Sequence, residues 1–389
     1  MIMIIKIRAC RSAVWALIVI VLSVAFAYWE SRHTNRSDFP VFYNAATYYL
    51  NKSGGISGIY DKWISLEYHL PEQANRGKFM HSPTALILLS PLGYLKYYTA
   101  KTVLASLSIL SYLISVHLII THLKLQGRWF TYSFFLSIIW PPFLIDIMFN
   151  QINAILLLLL VLAVCANKNG RSISCGLLIG IAAWFKLFPM GIAMALGIKN
   201  WRVVASCLLI FILPLMFPES IKWFSAMQTI NPSSVSPAYH FLSSINPALF
   251  LIYSSAIVLV TAFIIFKEKA GDNLKIFAYS LPAIFLAAPA FELYHFTLLI
   301  ISYLFLAKRI NDNFTLLYFF TLFTTIIMIC VGFIAGRMGG EHLSEMQILY
   351  YFSILFLWLT YSYIFVTDYY KARLYIRVRK VGKPDTASH

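Results

Sequence analysis

Apolar residues run through this chain in long blocks rather than at a strict helical or strand spacing, and short polar stretches rich in Lys, Arg, Pro and Gly divide one block from the next. The blocks cover 13–28, 98–120, 129–145, 152–166, 173–185, 189–198, 203–217, 247–266, 276–289, 296–307, 316–333 and 348–366. A helix that is apolar all round has apolar surroundings on every side. About 20 such residues cross a hydrocarbon core of roughly 30 Å. The pattern therefore predicts an all-α polytopic membrane protein, a bundle of about twelve transmembrane helices.

One stretch breaks the pattern. Residues 30–97 are mixed, with helix-like pieces at 39–50, 63–69 and 83–92 separated by Gly54-Gly55, Pro71 and Pro83. Their amphipathic character predicts short helices along the membrane interface. Composition agrees, since 60% hydrophobic and 12% charged residues leave too little polar surface for a soluble domain. The mean hydropathy is +0.74. Residues 1–389 thus read as a single integral membrane domain with 30–97 as its first outer loop.

The net charge of +16 is topological. A nucleic-acid binder gathers its basic residues on one soluble face, whereas here they lie between apolar blocks, so no nucleic acid is expected as a partner. Lys6, Arg8 and Arg11 place the N-terminus in the cytoplasm. Twelve crossings then put most Lys and Arg, including the basic tail 371–389, on the inner side of a plasma (inner) membrane protein. Ala25-Phe26-Ala27 resembles a signal-peptidase site, but the block continues through Trp29 and reads as an uncleaved anchor. Five cysteines without a CxxC pair read as core residues, and nine histidines contain no HxxxH or HExxH pair, so no metal is expected. The absence of a phosphate-cradling Gly-rich motif disfavours a nucleotide-sugar enzyme of the soluble type, and no cofactor is expected.

With this topology the unusual polar residues converge on the outer side. Asp38 follows the first block, Asp146, Gln151 and Asn153 fall at the second outer turn, and Lys186 at the third. Glu292 and His295 lie at the fifth, Arg337 and His342 at the sixth. Ionisable residues beside membrane spans are costly and are functional candidates by default.

Ser37-Asp38-Phe39-Pro40-Val41-Phe42-Tyr43-Asn44-Ala45-Ala46, then Gly58-Ile59-Tyr60, resembles the pattern after the first span of glycosyltransferase family 87, the membrane mannosyltransferases that use polyprenyl-phosphate-mannose. His81-Ser82-Pro83 and Ser90-Pro91-Leu92 resemble a Tyr-Pro-Pro and Pro-Leu segment, with His81 and Ser82 departing from it. Asn150-Gln151-Ile152-Asn153 resembles a Gly-Gln-x-Asn turn with Asn150 in place of Gly. Lys186-Leu187-Phe188-Pro189 resembles Lys-Pro-x-Pro, and Ala288-Pro289 followed by His295 resembles the late Ser-Pro and His turn. The resemblance implies a GT-C-like bundle whose first outer loop carries a catalytic carboxylate. It also implies a polyprenyl-phosphate-linked sugar donor, mannose in the family, and a glycan or glycolipid acceptor beside the membrane lipids.

The residues take candidate roles from that chemistry. Asp38 opens a helix-like segment and could be a plain N-cap; the resemblance makes it the general base that takes the acceptor's proton. A phosphate leaving group needs positive charge where negative charge develops. Lys186 is the first candidate for it and Arg337 the second, against the plainer reading of snorkelling cations. His295 could orient the acceptor or share the proton with Asp38, or simply pack. Tyr43, His81, Gln151 and Asn153 are candidates for sugar and acceptor contacts, Gln151 and Asn153 equally for helix capping. Asp146 reads as a hydrogen-bonded interfacial carboxylate. A base acting without a covalent intermediate would invert the anomeric centre. A transporter or flippase for lipid-linked glycans, or an enzyme of the O-antigen polymerase or ligase type, are the competing readings.

Overall fold

A computed structural model describes residues 38–51, 57–61, 79–227, 236–268, 272–291, 293–312, 315–323, 326–327 and 343–381, with a few positions between 21 and 29. Every regular element among them is helical. Helix α1 (Phe39–Asn51), α2 (Ser57–Asp61) and α3 (Pro83–Leu89), which runs into a 3-10 turn at Ser90–Tyr94, belong to the mixed segment 30–97. The expected piece at 63–69 lies outside the described residues. Then come α4 (Tyr97–His122), α5 (Gly127–Ile138), α6 (Pro141–Met148), α7 (Asn153–Lys168), α8 (Ser172–Phe185), α9 (Pro189–Gly197), α10 (Trp201–Phe211) and α11 (Ser220–Met227). The chain continues with α12 (Pro237–Ile245), α13 (Pro247–Lys267), α14 (Asn273–Ala287), a 3-10 segment at Leu293–Leu299, α15 (Ile300–Asp312) and α16 (Leu343–Val381).

Twelve spans are not reached among the described residues. Four helical stretches are long and apolar enough to cross a membrane: Tyr97–His122, Gly127–Met148 (α5 continued by α6), Pro247–Lys267 and Ile348–Lys371. A fifth span would be the pair Trp201–Met216 and Ser220–Ala226, which is bent by 103°. The other apolar blocks form shorter helices. At 1.5 Å per residue the nine residues of α9 reach only about 14 Å, and Pro189 at its start and the turn after Gly197 fix that length. Helix α14 is apolar because protein surrounds it: twelve of its residues, Leu274 to Ala283 with Phe285 and Leu286, are buried. Hydropathy cannot tell such a helix from a lipid-facing one. Most of block 13–28, and residues 324–325 and 328–333 of block 316–333, fall outside the described residues.

Close approach of α8 and α10 shows how the bundle packs. Gly176 faces the Val203 carbonyl and Ser206, and a Cβ on Gly180 would lie 2.8 Å from the Cys207 carbonyl oxygen. Small residues that let two backbones touch substitute for the missing hydrophobic drive between helices in lipid. The first loop is equally well packed. Phe39, Phe42, Ala45 and Ala46 of α1 are buried, and Gly93 sits against the backbone of Ala46, where a Cβ would lie 2.9 Å from its carbonyl carbon. Helix α1 is therefore fixed against α3 and its 3-10 turn, with Asp38 at its start.

Candidate active site

Asp38 is held from two directions. Its backbone N–H donates to the Phe149 carbonyl at 3.0 Å, and its own carbonyl accepts from Val41 at 3.0 Å to start α1. The Gln151 side-chain amide donates to Asp38 Oδ2 at 2.5 Å. Gln151 is itself buried; its backbone N–H donates to the Asp146 carbonyl at 2.9 Å, and its carbonyl accepts from Ser108 Oγ at 3.2 Å. A rigid turn thus orients the carboxylate.

That turn explains a departure from the family pattern. Asn150 has φ 50°, the left-handed region that Gly occupies freely and that Asn tolerates best among the other residues. The change from Gly to Asn therefore preserves the backbone route that presents Gln151.

Asp146 and Asn153 form the next layer. Asp146 is fully buried; its carboxylate accepts from Asn153 Nδ2 at 2.5 Å and from the Ala154 N–H at 3.1 Å, so it caps the start of α7 from the preceding helix. The sequence reading of Asp146 as a hydrogen-bonded carboxylate fits, with burial rather than interface as its setting. Asn153 is also fully buried, and its Oδ1 has no hydrogen-bond partner among the described residues.

Lys186 follows α8 in an extended conformation, φ −148° and ψ 140°, because Pro189 starts a new helix three residues later. Its Nζ lies 2.6 Å from His295 Nε2 and 4.8 Å from the centroid of the Tyr294 ring. An ammonium can only donate, so His295 Nε2 accepts and the imidazole is neutral. Burial first, then the charge of Lys186, hold the His295 pKa well below the ordinary value. The Phe149 ring, on the residue whose carbonyl holds Asp38, lies 6.0 Å from the Tyr294 ring. Carboxylate and ammonium sides of the site meet at this aromatic pair.

His81 is brought to the same place through the end of α8. Its Nδ1 donates to the Phe185 carbonyl at 2.6 Å, Ser82 N–H donates to Trp184 O at 3.1 Å, and the ring lies between Phe42 and Phe79, 5.1 and 5.3 Å away. Burial, and secondarily Lys186, lower its pKa from 6.5 to about 4, against the raising effect of the Phe185 carbonyl. In unfolded chain His81 takes up a proton near pH 6.5, and in the folded protein only near pH 4. The unfolded state binds more protons inside that window, so stability falls as pH drops through it. Thermal midpoints of the wild type should accordingly decline from pH 6.5 to pH 4 more steeply than those of His81→Gln, and equal slopes would remove His81 from the account.

Tyr43 is placed differently from the other candidates. Its hydroxyl donates to the Leu95 carbonyl at 2.9 Å, and its ring packs on Phe39 and Tyr97 at 5.8 and 5.2 Å. That arrangement anchors α1 to the start of α4. Arg337, His342 and Glu292 lie outside the described residues.

Two residues near the site escaped the sequence reading. Tyr60 OH donates to the His81 carbonyl at 2.8 Å, and Trp223 Nε1 donates to the Met80 carbonyl at 3.1 Å. Both grip Met80-His81, just before α3. Burial, then the negative charge of Glu219, push the Tyr60 hydroxyl pKa up, so it stays a donor. Ile59-Tyr60 belonged to the matched pattern, which was the one available signal; Trp223 offered none, because its partner is 143 positions away.

The profile of glycosyltransferase family 87 matches residues 79–290. No curated protein matches the chain. Among solved structures, apo ArnT from Cupriavidus metallidurans is similar with a TM-score of 0.49 at 11% identity, over 92% of this chain and 78% of that one. ArnT from the same organism bound to undecaprenyl phosphate gives a TM-score of 0.44 at 11% identity, with the same shares covered.

Proposed function

Since the chain belongs to glycosyltransferase family 87, we propose that it moves a sugar from a polyprenyl-phosphate donor to a glycan or glycolipid acceptor at the outer face of the membrane. Mannose is the sugar the family resemblance favours. The observation that carries the reading is the pairing of two opposed groups at one end of the bundle. An oriented carboxylate, Asp38, and an ammonium, Lys186, are linked through Phe149 and Tyr294.

The step follows from those groups. The acceptor hydroxyl attacks the anomeric carbon while its proton passes to the Asp38 carboxylate. The bond from that carbon to the phosphate oxygen breaks on the opposite side, and the electron pair leaves with the polyprenyl phosphate. Lys186 faces the charge that develops there. His295 and the Tyr294 ring keep the ammonium in place, and the neutral imidazole adds no competing charge. Gln151 sets the direction of the carboxylate, and Asn153 and His81 supply polar groups for sugar hydroxyls. Tyr43, its hydroxyl on Leu95, supports the helix that carries Asp38.

A donor comparison tests this reading. Purified protein in lipid nanodiscs receives labelled polyprenyl-phosphate-mannose or the corresponding nucleotide sugar, each with a membrane-lipid extract. Label should pass only from the lipid donor, and the product linkage should be inverted relative to that donor. Use of the nucleotide sugar, or retention of configuration, would contradict the proposed chemistry.

A further inference from the structure

The helices that hold the site also build a polar cavity at their far ends. Helix α4 starts beside the site, where Tyr97 packs on Phe39 at 5.3 Å, and α7 starts at Asn153. A cavity of about 570 Å³ opens where these helices finish. It lies one full helix length from Asp38, roughly 24 to 39 Å along α7 or α4.

Four cations border it, Lys124, Lys168, Lys308 and Arg309, against two carboxylates, Asp272 and Asp312. Both carboxylates have work inside the protein. Asp312 pairs with Lys308, and Asp272 caps α14, accepting from the Leu274 and Lys275 N–H groups at 3.1 and 3.3 Å. Arg309 turns to Asp368 at 2.6 Å. Lys124, in the left-handed turn after α4, and Lys168, in the last turn of α7, are exposed and have no acidic partner among the described residues. Leu123, Leu274 and Phe305 line the same cavity.

Unmatched positive charge beside apolar side chains fits a ligand that is itself half anionic and half apolar. A small hydrated anion would have no use for the apolar wall. The end of α4, a helix long enough to cross a membrane, lies at headgroup level, where Lys side chains are drawn to an anionic lipid surface. We propose that this cavity binds the phosphate headgroup of an anionic phospholipid, separately from the site that holds Asp38 and Lys186.

The full chain in neutral detergent would be titrated with short-chain phosphatidylglycerol, phosphatidylcholine or inorganic phosphate while its thermal midpoint is followed. The wild type should show a saturable rise with phosphatidylglycerol alone. Lys124→Glu with Lys168→Glu should raise the half-saturating concentration about tenfold or more. Lys96→Glu with Lys222→Glu, the same change of net charge at exposed positions elsewhere, should titrate as wild type. An unchanged titration in the first pair, or an equal loss in the second, would overturn the site. An equal rise with inorganic phosphate would overturn the lipid as its ligand.

Discussion

Asp38→Asn is expected to give a folded protein that still binds its lipid-linked donor but turns it over about 10²- to 10⁴-fold more slowly, the ordinary contribution of a positioned general base. The substitution is chosen because it changes so little else. Asn starts a helix as well as Asp does, the backbone bonds to Phe149 and Val41 do not involve the side chain, and the new amide oxygen can still accept from Gln151 Nε2. The negative charge and the ability to take a proton are removed, while the shape is kept. Single-turnover transfer, read beside donor binding, separates this outcome from misfolding. A rate loss accompanied by an equal loss of binding would assign Asp38 to structure instead.

Lys186→Ala carries the second large effect, a loss of about 10²- to 10³-fold in turnover, as for other removed charge-stabilising groups. In the proposed step the donor's phosphate also meets Lys186 before reaction, so donor affinity should fall with the rate, in contrast to Asp38→Asn. A further consequence distinguishes lost charge from lost packing. Lys186 is one of the causes that lower the His81 and His295 pKa values. Without it both histidines should protonate at higher pH, and the acid limb of the activity profile should move upward. Lys186→Met, which retains most of the volume, should give the same shift. No shift in either variant would mean that Lys186 does not face these imidazoles.

Much of this site was legible because polar residues stand out against apolar blocks. Asp38, Gln151, Asn153, Lys186 and His295 were identified from their positions at one set of helix ends, and the structure brings them to one place. Their partnerships were not legible. Lys186 meets His295 across 109 positions and Gln151 meets Asp38 across 113, and no local spacing encodes such contacts. The fold was read in class but not in count. A helix buried by its neighbours, such as α14, and a helix buried by lipid need the same apolar side chains, so hydropathy reports both as spans. At Trp140-Pro141-Pro142 the helix is interrupted, α5 ending at Ile138 and α6 starting at Pro141, within one candidate span. The 103° bend between Trp201–Met216 and Ser220–Ala226 was not foreseen: Pro214 fell inside the apolar block 203–217, and Pro218 lies in the break just beyond it.

The most direct measurement compares wild type and Asp38→Asn in one nanodisc preparation, following both binding of labelled polyprenyl-phosphate-mannose and transfer of the label to a membrane-lipid extract. The account predicts equal binding, with transfer by the wild type alone. Transfer at the wild-type rate by Asp38→Asn would contradict it.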